Sequence, residues 1–386
     1  MHPGPRRLRA PFAVGDPLRG VAALGVAVSH VVALAALTSA APAPVGLTVD
    51  TTPVYGPLGA LVQSGGTAGV SVFFVLSGYL LSRPFVAAFV HDQQRPGLRR
   101  YVRNRVLRIV PAYWAALTVI VVLAPTIGIG AGRLARTYLF DADWPNAHPL
   151  SLWIGQAWTL DVEMRFYLLL ALVGLALVFA ARRLLADWSV GARVALVLLI
   201  AAAVLAWSCH VYAQLTFPDV LRFDENVGRF MLGIALAAVE ALALARLLRA
   251  RQAPALALGL FAVGVVGLVL ASIAQRDAAV PLGAATGVVI AVCAGAVVAG
   301  PLLWQWTGRA PWRMLDNRVL RWAGSRSYSI YLVHFAVYYE LGRTIGKGGY
   351  AQQLLVLALV GFPLSLLVAE ILHRTVERPA LRRRQA

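Results

Sequence analysis

His30 and Arg19 are placed to do chemistry in an apolar setting. They lie eleven residues apart in a stretch that otherwise reads as an apolar helix. Eleven residues at ~100° each return to within ~20° of the starting face, ~16 Å further along the axis. The two side chains therefore share one stripe. Imidazole is the side chain best suited to proton transfer near neutral pH, and a guanidinium at the mouth of the stripe suits a phosphate. A histidine packed in a bundle against a hydrogen-bond partner would read the same way in sequence. The arginine on the same stripe is what favours chemistry.

Three further clusters bear on a site. Gly65 to Leu80 is rich in small residues and ends in FFVLSGYL, with Ser71 and Ser77 as oxyanion-stabilising candidates. Such residues also simply let helices approach closely. In the run Arg99, Arg100, Arg103, Arg105, Arg108, the last two are i and i+3 and face one way. That pair could clamp a phosphorylated ligand, or the run could anchor the chain to lipid headgroups. In WTLDVEMRFY, Asp161, Glu163 and Arg165 are two apart and point in different directions, whereas Glu163 and Tyr167 share a face. Glu163 could orient His30, bind a sugar hydroxyl, or pair with an arginine. Tyr331 and His334, also i and i+3, could line the same cavity or pack within the bundle.

These residues must be positioned by membrane-spanning helices. Of 386 residues, 59% are hydrophobic and only 13% charged, against about 25% charged in soluble domains. No charge occurs between Asp50 and Arg83 or between Asp277 and Arg309, and each run exceeds the ~20 residues of a span. The pattern excludes a soluble globular enzyme and a disordered chain. It predicts an all-α, polytopic bundle of ten spans, at 18–37, 59–81, 109–130, 157–181, 194–212, 227–248, 254–274, 280–303, 327–342 and 351–372. The ninth is the weakest. With both termini placed in the cytoplasm, 27 of the 35 basic residues fall on that side and 7 on the other. Topology thus accounts for the net charge of +18 better than nucleic-acid binding does. The two cysteines, Cys209 and Cys293, imply neither a disulfide framework nor a zinc site. An amino-terminal signal peptide fits poorly, because its apolar stretch holds Arg19 and His30.

Taken together, these segments resemble the acyltransferase-3 family of integral membrane acyltransferases, which modify sugars, polysaccharides, peptidoglycan and some antibiotics. The resemblance rests on Arg19 and His30, FFVLSGYL, Arg105 and Arg108, and WTLDVEMRFYLL. It also rests on SYSIYLVHF (Ser327 to Phe335) and a basic tail with Glu377-Arg378-Pro379. It runs from Asp16 to Leu381. It implies that His30 is the catalytic base or acyl relay, and that Arg19, Arg105 and Arg108 hold an acyl-coenzyme A donor. The family often carries two adjacent acids in the WTL stretch, and Met164 stands at the second position here. Glu163 would then carry the acidic role.

The resulting expectation is a single membrane domain over residues 1–386, with no appended soluble domain and no permanently bound cofactor or metal. It would lie in a bacterial inner membrane and move an acyl group, most simply acetyl, onto a hydroxyl. The acceptor would be a sugar, a cell-envelope glycan or a glycosylated small molecule such as a macrolide. A transporter or flippase is the rival from another class, since midplane ionisable groups and broken helices suit transport as well. A non-catalytic scaffold would leave His30 unexplained.

Overall fold

The computed structural model describes residues 12–39, 56–94, 96–123, 128–142, 148–214, 222–242, 253–274, 283–345 and 348–383. The amino-terminal arginines, the Arg246–Arg251 segment, Asp50, Asp143, Trp144, Asp219 and Asp277 lie outside them. No strand occurs among the described residues.

The helices are α1 (Gly15–Thr38), α2 (Gly56–His91), α3 (Leu98–Leu123), α4 (Ala131–Tyr138), α5 (Ser151–Ile154) and α6 (Trp158–Leu184). They continue with α7 (Val190–Gln214), α8 (Phe223–Ala241), α9 (Ala253–Ala274), α10 (Gly283–Trp306), α11 (Arg318–Ser325) and α12 (Ser327–Ile345). The last apolar stretch holds α13 (Tyr350–Val356), α14 (Phe362–Leu372) and α15 (Arg378–Arg382), joined without a break by π turns at Leu357–Gly361 and His373–Glu377. Eight helical stretches among the described residues are long and apolar enough to cross a bilayer. The other two expected spans form the 19-residue helices α8 and α12. These carry the charges and tyrosines that lower their hydropathy, and they tolerate them by sitting inside the bundle.

Several of the expected boundaries are corrected by the structure. Residues 82–91 and 98–108, placed between the expected spans, are helical extensions of α2 and α3, and the last span, expected to end at 372, runs on through a π turn to Arg382. Arginine is a good helix former, so a basic run beside a span continues the helix.

Close helix approach sets the register of the inner layer. A Cβ on Gly69 would lie 2.6 Å from the Ala22 carbonyl oxygen, so α2 meets α1 backbone to backbone. On the other side of α2, a Cβ on Gly78 would lie 2.2 Å from the Phe230 oxygen, and one on Gly233 2.2 Å from the Val75 oxygen. Packing and close contact, rather than any direct chemistry, explain these glycines. An ion pair of Arg83 with Glu240, at 2.8 Å and shared with the Tyr79 hydroxyl, pins α2 to α8 further along. Thus α2 becomes the most enclosed of the spans, with 78% of its apolar window buried.

Candidate active site

Helices α1, α2, α3, α6 and α12 surround a cavity of about 720 Å³, its open mouth included. Its basic wall is Arg19 from α1 with Arg105 and Arg108 from α3. Ser77, Glu163 and Tyr167 face them, and Phe73 and Tyr331 are among the aromatic residues. The expected phosphate-binding trio thus comes together in one place, because α3 begins early enough to carry both of its arginines alongside α1.

Each arginine is held differently. Arg19 pairs with Asp16 at 3.1 Å. Arg108 pairs at 2.9 Å with Glu377, whose side chain is wholly buried. Glu377 also accepts from the Ser329 hydroxyl at 2.6 Å and lies 2.9 Å from His373 Nδ1. The π turn places His373 and Glu377 together, as such turns often do at functional sites. Arg105 lies over the Tyr167 ring at 5.7 Å, and its buried Nε has no hydrogen-bond partner among the described residues. It is the one of the three with no ion pair among the described residues.

Glu163 accepts hydrogen bonds from the Ser77 hydroxyl at 2.7 Å and from the Tyr167 hydroxyl. It serves this polar wall rather than the orientation of His30. The sharing of a face by Glu163 and Tyr167 is seen directly in that bond. Asp161 accepts from the Ala142 amide and Arg165 reaches Asp141, so the three charged residues do diverge.

His30 meets His334 instead, with His30 Nδ1 2.8 Å from His334 Nε2. The two ring centroids are 5.0 Å apart with 21° between the planes, and Phe335 lies edge-on to His30 at 5.0 Å. His334 is fully buried, and its Nδ1 is 2.9 Å from the Ile330 carbonyl oxygen. Neither histidine lines the cavity. The link is Tyr331, which does line it and whose ring lies 5.9 Å from that of His334. The structure therefore places Arg19 in the cavity wall and His30 outside it, joined to the lining residue Tyr331 through His334.

The two oxyanion candidates, Ser71 and Ser77, and the two cavity-lining candidates, Tyr331 and His334, are each held by neighbours. The Ser71 hydroxyl donates to the Thr67 carbonyl of its own helix. The Ser77 hydroxyl donates to Glu163. The Tyr331 hydroxyl donates to the Gln156 carbonyl at 2.8 Å and lies 2.7 Å from the Thr159 hydroxyl. Both ring nitrogens of His334 are engaged. In this arrangement none of the four turns a hydrogen toward the cavity. Of these, Ser71 and His334 do not line it at all.

Sequence reasoning overlooked Glu377, which was noted only as part of a tail motif. The signal was present, since His373 and Glu377 are i and i+4 at the end of an apolar helix. It also overlooked Gln156 and Thr159, which fasten the start of α6 to α12.

The acyltransferase-3 family, described as an acyltransferase domain, matches residues 16–374. The exopolysaccharide production protein ExoZ of Rhizobium meliloti (strain 1021) is 30% identical over 334 residues, covering 83% of this chain and 91% of that protein. The peptidoglycan O-acetyltransferase OatA of Listeria monocytogenes is 23% identical over 335 residues, 82% of this chain, which spans about half (51%) of that relative. The O-acetyltransferase OatA of Staphylococcus aureus (strain NCTC 8325 / PS 47) is 29% identical over 130 residues, 30% of this chain and 21% of that protein. No solved structure matches. The chain belongs to the acyltransferase-3 family. It is a multi-pass membrane acyltransferase that transfers groups other than aminoacyl groups.

Proposed function

We propose that this member of the family moves an acetyl group from cytoplasmic acetyl-coenzyme A to a hydroxyl of a cell-envelope glycan, in the inner membrane of a bacterium with both termini inside. One observation carries the donor: three arginines from two helices line a single cavity, another of whose lining residues, Tyr331, has its ring 5.9 Å from that of His334, the partner of His30. The phosphates of the donor would lie against Arg105, Arg108 and Arg19, as charge-assisted bonds to arginine favour. Its pantetheine arm would extend along α1, where the ~16 Å rise from Arg19 to His30 is of the right order for a thioester to reach the imidazole. The Phe73–Tyr331 pair, with centroids 6.2 Å apart, would have to part for the acyl group to pass. The names of ExoZ and of the Listeria OatA, an exopolysaccharide production protein and a peptidoglycan O-acetyltransferase, support a glycan acceptor over a macrolide.

In the step itself, His30 takes the proton of the acceptor hydroxyl as its oxygen attacks the thioester carbonyl. The carbon–sulfur bond then breaks, and the imidazolium returns the proton to the departing thiolate. Atoms and charge balance with no other reactant. Transient acylation of His30 would give the same products. The test is thiol release from acetyl-coenzyme A by membranes holding the wild type or His30→Ala, with and without host envelope glycan. Release that needs the glycan and is lost in a folded His30→Ala supports the reading. Equal release from both overturns it.

A further inference from the structure

We infer that His334 is a positioning residue that sets the tautomer of His30, an inference that rests on His30 being the base. The argument is one of hydrogen accounting. The Ile330 carbonyl oxygen has no hydrogen to give, so Nδ1 of His334 carries one and donates it across 2.9 Å. Nε2 of a neutral His334 then holds a lone pair. The 2.8 Å contact requires that His30 donate to it from Nδ1. In a neutral His30 the lone pair then lies on Nε2. The His334 ring has little freedom to change this. It is fully buried, and Tyr338 packs against it at 5.8 Å while Tyr331 flanks it at 5.9 Å. A bond to a main-chain carbonyl on its own helix fixes the ring plane and the tautomer together.

The consequence is directional. When the acceptor proton arrives at His30 Nε2, the positive charge spreads to Nδ1–H, which already points at the His334 lone pair. A His30 with its hydrogen on Nε2 could not take that proton. Where a carboxylate plays the orienting part, the wrong tautomer lowers turnover by about 10⁴-fold. A neutral imidazole is a weaker partner, and the expected loss here is about 10²-fold.

Two measurements on the full chain in lipid nanodiscs test this. The first is nitrogen-15 NMR of histidine-labelled wild type, with His30 and His334 assigned by the signals lost in His30→Gln and His334→Gln. The expected result is hydrogen on Nδ1 of both rings. The second compares His334→Leu with His334→Gln, whose side-chain oxygen can still accept from His30 Nδ1–H. The leucine variant should lose about 10²-fold in kcat with both KM values within about twofold, and the glutamine variant should recover to within about tenfold of wild type. Hydrogen on Nε2 of His30 in the wild type overturns the inference even if a variant misfolds. So does a leucine variant within threefold of wild type. A fully active His30→Ala would instead remove the base reading, leaving the NMR result to decide the tautomer alone.

Discussion

Arg108 on α3 and Glu377 at the end of the chain meet at 2.9 Å, with the carboxylate wholly buried and the guanidinium at the cavity wall. The carboxylate is anchored in turn by Ser329 and His373. The last helix thus reaches back to hold a residue of the cavity wall. Glu377→Gln keeps the shape and removes the charge. It should raise the KM for acetyl-coenzyme A by about tenfold, as the guanidinium loses its buried ion-pair partner. Steady-state kinetics will show this, and Arg108→Gln added to it should cost less than it does alone. Full additivity would mean that the pair does not work as a unit.

Arg105 has no ion pair among the described residues and faces Tyr167 with its cation. Arg105→Gln should therefore raise the donor KM with little cost to the thermal midpoint. Arg105→Lys should restore only part of the loss, because lysine lacks the planar fork. Donor titrations at two ionic strengths check this, since a phosphate contact weakens with salt.

The two serine candidates differ in placement, so they should differ in effect. Ser71→Ala removes only a bond to the Thr67 carbonyl and should leave turnover within about twofold. Ser77→Ala leaves Glu163 without a donor it now has, and should lower turnover by about tenfold or more, as a lost bond to a charged group costs about 1.5–3 kcal/mol. Equal behaviour of the two variants in the thiol-release assay would argue against a role for the Ser77–Glu163 pair.

Gly78→Ala and Gly233→Ala should each prevent normal assembly, because the added Cβ would fall 2.2 Å from a backbone oxygen on the facing helix. Backbone cannot retreat as a flexible side chain can. Gly259→Ala in α9 meets nothing within 4 Å and should be neutral. Yield and thermal midpoint in detergent, compared across the three variants, decide this.

Much of the architecture was legible because a bilayer imposes strong rules on single segments. Runs of apolar residues longer than a span announce helices, and the asymmetric placement of arginine announces a topology. The types of the site residues were legible too, since an intramembrane histidine or glutamate needs a reason to be there. The helical extensions were missed because charge was taken to end a span, whereas Arg99 to Arg108 simply continues α3 and Arg374 to Arg382 continues the last helix.

What the sequence determined by itself was the helical class, the shared stripe of Arg19 and His30, and the shared faces of Arg105 with Arg108 and of Glu163 with Tyr167. These are facts about one helix, where a period of 3.6 residues relates position to direction. The tertiary structure decided who meets whom. It gave His30 to His334 across 304 positions, Glu163 to Ser77 across 86, and Arg108 to Glu377 at the far end of the chain. Those partners depend on which helices are neighbours and on their axial register. Both are set by backbone contact at glycines such as Gly69, Gly78 and Gly233, and no periodicity within a single helix encodes them.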